Sequence, residues 1–185
     1  MSIRRFIPLK IAIFTISDTR TEQDDRSGHY LAQAIQEAGH VLQQKKILSD
    51  QLDPLIQNLK TAIRDTQIDV VICTGGTGLT GRDQTPEAFD AVIEKWIPGF
   101  GELFRWLSYQ KIGTSTIQSR ATAGMASGTL LFALPGSPSA CRDAWSQILQ
   151  PQLDNRHRPC NFAEILPRFK EDPNIRREKT APDQK

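Results

Sequence analysis

The chain has 185 residues, enough for one domain with a full core, and its 38% hydrophobic and 24% charged residues are ordinary for a soluble globule. Its 23 basic and 21 acidic residues leave a formal net charge of +2, too balanced to point to nucleic acid or a membrane surface as a partner. No apolar run approaches the roughly 18–20 residues of a membrane span, residues 1–9 lack the apolar stretch of a signal peptide, and Cys73, Cys141 and Cys160 form no CxxC pair and no sequence cluster with histidine. The expectation is a cytoplasmic protein with reduced thiols and no zinc site.

Lys10-Ile11-Ala12-Ile13-Phe14-Thr15-Ile16 is a short, β-branched apolar run that reads as a buried strand opening into Ser17-Asp18-Thr19. Ser27 is placed to cap the helix that follows, with Tyr30, Leu31, Ala34, Ile35 and Ala38 at helical spacing and Gly39 as its stop. Val41 to Leu48 reads as an outer strand ending at Ser49-Asp50. Asp53-Pro54 then starts a helix whose stripe is Leu55, Ile56, Leu59 and Ile63. Val70-Val71-Ile72-Cys73 is a continuous apolar strand that breaks into Thr74-Gly75-Gly76-Thr77-Gly78. A helix is expected from Thr85-Pro86-Glu87, with Ala88, Phe89, Val92 and Ile93 inward. Pro98-Gly99 interrupts, and Phe100 to Tyr109 resumes as helix. Thr114 to Ala126 carries no strong period and reads as loop or short strand. Leu130 to Leu134 is a further buried strand, then Pro135-Gly136-Ser137-Pro138, then a helix with Ala140, Ala144, Ile148 and Leu149 on its inner face. Past Pro151 the chain turns polar, and residues 172–185 have the composition of a disordered tail. The domain boundaries expected from this pattern are an extension at 1–9, an α/β domain at 10–165 and a tail at 166–185.

Apolar strands alternating with amphipathic helices imply a mostly parallel sheet covered on both faces, with ligands beyond the carboxyl ends of the strands. The glycine loop permits positive φ and leaves backbone N–H groups open to an anion, while the hydroxyls of Thr74 and Thr77 add donors. It is neither a Walker loop, since no Gly-Lys-Ser/Thr follows, nor a dinucleotide fingerprint at the first strand. Asp83 stands just before a helix start and Asp50 just after a strand. Each suits a turn residue, and equally a carboxylate ligand that holds Mg²⁺ against phosphate oxygens. Ser17, Asp18 and Arg20, Ser119 with Arg120, and Pro135 to Ser137 supply hydroxyls, charges and a close-approach glycine at other expected loop positions. The aromatic cluster Phe100, Phe104, Trp106 and Tyr109 reads as core or subunit contact.

Together these stretches resemble the MoaB/MogA family of molybdenum cofactor biosynthesis proteins. The motifs that carry the likeness are Ser17-Asp18-Thr19-Arg20, Asp25 with Gly28, the glycine loop Thr74 to Gly78, Asp83 with Thr85-Pro86-Glu87-Ala88, Pro98-Gly99-Phe100-Gly101-Glu102, Ser119-Arg120-Ala121 and Pro135-Gly136-Ser137-Pro138. They span Lys10 to Phe162. The stretches Gly113 to Arg120, Pro151 to Asp154 and Arg158 to Phe162 look like the MoaB branch.

The resemblance implies a three-layer α/β/α domain with a mostly parallel sheet, assembled as a homotrimer or hexamer. It also implies Mg-ATP-dependent transfer of AMP to the terminal phosphate of molybdopterin, with release of pyrophosphate. On that pattern Asp50 and Asp83 are the catalytic and Mg²⁺-binding positions. Ser17, Asp18, the loop Thr74 to Gly78, Thr85, Pro86, Glu87, Ser119, Arg120, Pro135, Gly136 and Ser137 surround molybdopterin and ATP. The alternative is a non-catalytic molybdopterin-binding or carrier protein of the same pathway.

Overall fold

The computed structural model describes residues 4–171, so the expected disordered tail at 172–185 lies outside the described residues. In chain order the strands are β1 (Lys10–Ile16), β2 (Val41–Leu48), β3 (Val70–Thr74), β4 (Lys95–Trp96), β5 (Thr122–Ala126) and β6 (Thr129–Leu134). They form one sheet in the order β2-β1-β3-β6-β5-β4. β2, β1, β3 and β6 are parallel neighbours, while β5 runs antiparallel to β6 and β4 antiparallel to β5. The helices are α1 (Arg26–Glu37), α2 (Leu52–Arg64), α3 (Thr85–Asp90), α4 (Pro98–Ile112), α5 (Pro138–Ala144), α6 (Gln150–Leu153) and α7 (Phe162–Ile165).

Alternation along the central strands divides the core into two layers. Ile11 and Ile13 of β1, Val70 and Ile72 of β3, and Leu130, Phe132 and Leu134 of β6 pack with Leu31 and Ile35 of α1, Phe100 and Phe104 of α4, and Cys141 and Ala144 of α5. Ala12 and Phe14, Val71 and Cys73, and Leu131 and Ala133 point the other way, against Leu55 and Leu59 of α2 and Ala88 and Phe89 of α3. This is a three-layer α/β/α arrangement, and it explains why these strands read as unbroken apolar runs: both faces are covered.

Several local expectations change. The cap of α1 is Asp25, whose carboxylate accepts from Gly28 N at 2.9 Å; Ser27 lies inside the helix and donates to Gly136 O instead. α2 begins at Leu52 after Gln51, which places Asp53 and Pro54 in the first turn, where a negative charge suits the helix dipole and a missing N–H costs nothing. Pro98 starts α4 rather than interrupting it. The stretch before Leu130 expected as loop or short strand contains a 3₁₀ turn, Gly113–Gln118, and then the short strand β5. β5 is built of small residues because it packs tightly: a side chain at Gly124 would lie 2.5 Å from Ile93 Cδ1. Ser127 and Gly128, both at positive φ, make the tight turn into β6. The helix expected to end near Pro151 opens into a π turn at Trp145–Leu149 and continues through α6. The wider turn accommodates a proline that has no N–H to give. Both flanks pack on the domain: Ile7 N donates to Asn155 Oδ1 at 2.9 Å, and Leu166 and Phe169 rest against the core.

Candidate functional site

The sheet order turns about β1, with β2 on one side and β3 on the other, so the loops leaving β1 and β3 part and open a crevice at the carboxyl edge. A cleft of about 560 Å³ lies there. Its floor is Gly75, Gly76, Thr77 and Gly78 after β3. Ser17, Thr19 and Arg20 after β1 and Pro135, Gly136 and Ser137 after β6 line the cleft as well, and a further wall is Phe104, Ser108 and Ile112 of α4 with Ser115, Thr116, Gln118 and Ser119.

The glycine loop is shaped by where its carbonyls go. Gly75 has φ +113° and Gly76 φ +64°; a side chain on Gly75 would strike Ile16 O, and one on Gly76 would lie 2.5 Å from Thr85 Oγ1. Gly75 O accepts from Thr85 Oγ1 at 2.8 Å, and Gly76 O from Thr85 N at 3.0 Å. Thr77 O accepts from Arg120 N at 2.9 Å, and Gly78 O from Arg120 Nε at 2.7 Å. The carbonyls are thus used by the protein, whereas the N–H groups of Gly76 and Thr77 donate to no acceptor among the described residues. Successive backbone N–H groups without a protein partner are able to accept an anion.

Several of the expected ligand residues also make contacts within the protein. Arg120 does not line the cleft; its guanidinium also reaches Asp83 O at 2.5 Å and pairs with Glu87, so its fork of donors is spent on the underside of the loop. Thr85 is fully buried beneath Gly75 and Gly76, Pro86 follows it in the first turn of α3, and Glu87 faces Arg120. Thr74 is buried too, donating to Pro135 O at 3.0 Å and so tying the β3 and β6 loops together. Ser137 caps α5 by accepting from Ala140 N. The cation that does line the cleft is Arg20, whose Nη2 donates to Gly136 O at 2.8 Å. Phe104, Ser108, Ile112 and the 3₁₀ residues were not anticipated. Their signal in the sequence is the spacing of four, which puts Phe104, Ser108 and Ile112 on one stripe of α4.

The two expected catalytic carboxylates open on adjoining clefts. Asp83 borders the main one, and its Oδ2 accepts from Thr80 Oγ1 at 2.7 Å and Thr80 N at 2.9 Å. The Thr80 hydroxyl, against a smaller opposing effect of burial and with help from the Thr80 and Gly78 amides, holds the Asp83 carboxyl below the usual range, so it is ionised at neutral pH. Asp50 borders a cleft of about 420 Å³ with Asp18, Gly81, Arg82 and Gln84. Asp50 N donates to Asp18 Oδ1 at 3.1 Å, and Arg82 pairs with both carboxylates, reaching Asp50 Oδ1 at 2.9 Å. Asp18 is held below its usual range by the Ser49 hydroxyl first and the Asp50 amide next. Among the described residues no group of three or more His, Cys, Asp or Glu side chains is assembled to hold a metal ion, and no helix is long and apolar enough to cross a membrane.

Beneath the cleft Asp25 is wholly buried and accepts from Thr15 Oγ1 at 2.9 Å and from Gly28 N at 2.9 Å, with Lys45 Nζ at 3.1 Å. Burial raises its pKa, but the Gly28 amide, the Lys45 ammonium and the Thr15 hydroxyl together outweigh that and hold it below the usual range.

The comparisons agree with this geometry. A family described as "Probable molybdopterin binding domain" matches residues 12–155. The chain is 52% identical over 157 residues to molybdenum cofactor biosynthesis protein B of Escherichia coli (strain K12), covering 85% of this chain and 92% of that protein. A crystal structure of a molybdenum cofactor biosynthesis protein B superposes with a TM-score of 0.78 at 40% identity, over 81% of this chain and 94% of that one. The tungsten cofactor synthesizing protein MoaB of Pyrococcus furiosus does so with a TM-score of 0.70 at 34% identity, over 77% and 91%. The chain belongs to the molybdopterin-binding domain family, among the molybdenum cofactor biosynthesis proteins of MoaB type.

Proposed function

We propose that this protein adenylylates molybdopterin with Mg-ATP. The observation that carries the reading is the cleft itself: an anion cradle of free Gly76 and Thr77 amides, with the ionised Asp83 at its border and the Asp18–Asp50 pair in the adjoining cleft. A phosphate oxygen of molybdopterin attacks the α-phosphorus of ATP, the bond to the β-phosphate breaks, and pyrophosphate leaves. The nucleophile arrives already anionic, so the protein needs no activated hydroxyl or thiol of its own. Its contribution is orientation and electrostatic stabilisation of the crowded phosphates.

Asp18 and Asp50 offer hard carboxylate oxygens on neighbouring strand-end loops, a donor set that fits Mg²⁺. Asp50, with Asp18 beside it, and Asp83 are the residues assigned to the ion and the ATP phosphates; Mg²⁺ when bound supplies charge neutralisation there. The remaining lining residues Ser17, Gly75 to Gly78, Ser119 and Pro135 to Ser137 are assigned to molybdopterin and nucleotide. The reading includes a homo-oligomer, a trimer or hexamer, working in the cytoplasm, with residues 10–165 as its domain.

A second reading is a non-catalytic molybdopterin carrier. It is favoured by Arg82, whose guanidinium pairs with both Asp18 and Asp50 and offsets one of their two charges. Incubating the pure protein with molybdopterin, ATP and Mg²⁺ separates the two. Adenylylated pterin is expected, and tight pterin binding with no product means the carrier. Asp83→Asn is expected to lower turnover at least about 100-fold, the scale of losing one electrostatic group, with pterin binding retained. Unchanged turnover removes Asp83 from the mechanism.

A further inference from the structure

We propose that Arg20 is the cation that binds the ester phosphate of the ligand in the main cleft. The proposal rests on the reading above, that the cleft takes a phosphorylated heterocycle, and adds which residue holds which end.

Among the described residues Arg20 is the one Lys, Arg or His that lines this cleft. Its guanidinium is placed from behind. Nη2 donates to Gly136 O at 2.8 Å, and Nη1 lies 3.9 Å from Asp25 Oδ1. Asp25 has a nearer cation in Lys45, at 3.1 Å, so the buried carboxylate orients Arg20 without consuming its charge. The Ser27 hydroxyl donates to the same Gly136 carbonyl at 2.8 Å and fixes that loop from below. Gly136 in turn abuts the glycine loop: a side chain there would lie 3.3 Å from Gly75 Cα and 3.7 Å from Arg20 Nη2.

Arg20, Gly136 and Gly75 are therefore successive neighbours, and the free amides of Gly76 and Thr77 follow directly. A guanidinium fork beside outward backbone N–H groups is built for a phosphate, which accepts in-plane pairs of hydrogen bonds. The α4 part of the lining has different chemistry. Phe104, Ser108 and Ile112 make a wall with apolar surface and a hydroxyl, suited to a flat ring. The ligand is thereby given a direction, with phosphate at Arg20 and ring toward α4.

The test is equilibrium binding by the full-length protein, wild type, Arg20→Gln and Arg20→Lys, with two pairs of probes: 6-hydroxymethylpterin and its monophosphate, and adenosine and AMP. Wild type is expected to favour a phosphorylated member about tenfold or more, the worth of a hydrogen bond to a charged group. Arg20→Gln is expected to bring that ratio within about twofold, and Arg20→Lys to keep part of it. Loss in the pterin pair assigns the phosphate to the pterin, and loss in the adenosine pair assigns it to the nucleotide; either supports Arg20 as the anion ligand. A lowered melting temperature in Arg20→Gln with the wild-type ratio intact means Arg20 only ties two loops, which overturns the proposal. Equal wild-type binding of phosphorylated and unphosphorylated probes also overturns it while leaving the pterin reading in place. Binding of none of the four probes overturns both.

Discussion

A methyl group at position 76 has no room and no permitted backbone. Gly76 sits at φ +64°, and a Cβ there would lie 2.5 Å from Thr85 Oγ1. Gly76→Ala is therefore expected to lower stability by about 1–3 kcal/mol, the usual cost of a strained backbone position, and to weaken phosphate binding as the loop moves off Thr85. Thermal melting together with AMP titration checks both effects; an unchanged melting temperature contradicts the packing argument. The same scale separates the two arginines. Arg120 spends its donors on Thr77 O, Gly78 O and Asp83 O and so shapes the cradle from outside. Arg20 lines the cleft, with Nη2 held on Gly136 O. Nothing in local sequence distinguishes them, because each follows a short hydroxyl-bearing run.

The α1 cap shows how one residue binds several elements. Asp25 caps α1 through Gly28, holds Thr15 of β1 and pairs with Lys45 of β2, and Gly28 has no side chain because Asp25 and Thr15 occupy its place. Its carboxyl is held below the ordinary value of about 4. As pH falls, the unfolded chain takes up that proton first, so the stabilisation is present above about pH 4 and is lost as pH falls through the folded value. Wild type is expected to lose more stability between pH 7 and pH 3 than Asp25→Asn. At pH 7 the variant is expected to be weaker by about 1.5–3 kcal/mol, the worth of a hydrogen bond to a charged group, because Lys45 loses Asp25 and keeps Glu22. Urea midpoints at several pH values measure this, and parallel pH profiles for the two proteins rule out the linkage.

Over the whole molecule, the least explained surface is the outer side of α4 and the 3₁₀ turn after it. Phe100 and Phe104 are core, as expected, but Trp106 is 60% and Ile117 80% exposed, and Leu103, Tyr109 and Ile112 are exposed beside them. Exposed apolar surface of this extent on a helix and its following turn is of the kind that contacts between proteins cover. If the proposed homo-oligomer uses it, Trp106→Glu shifts the protein toward monomer, read by sedimentation at fixed concentration. A strict monomer in the wild type contradicts the proposed assembly. Ile112 also lines the main cleft, so a second copy on this face would stand at its edge.

Much of this architecture was legible from residue order. β1, β2 and the buried runs of β3 and β6 follow from β-branched runs, the glycine turn follows from its composition, and the layering follows from strands alternating with helices. Those features are local, or repeat with a period that the chain itself carries. β4 was not legible and β5 only as loop or short strand, since a two-residue strand and a strand of small residues have no clear pattern until Ile93 and β6 pack against them. The same holds for the site. That Gly75 to Gly78 leave their backbone open is written in their lack of side chains. Which arginine lines the cleft, which carboxylates become neighbours, and that α4 supplies a wall depend on loops far apart in sequence meeting at the edge of one sheet. Such meetings are set by strand order and by competition for hydrogen-bond partners, and neither is encoded in any single stretch of chain.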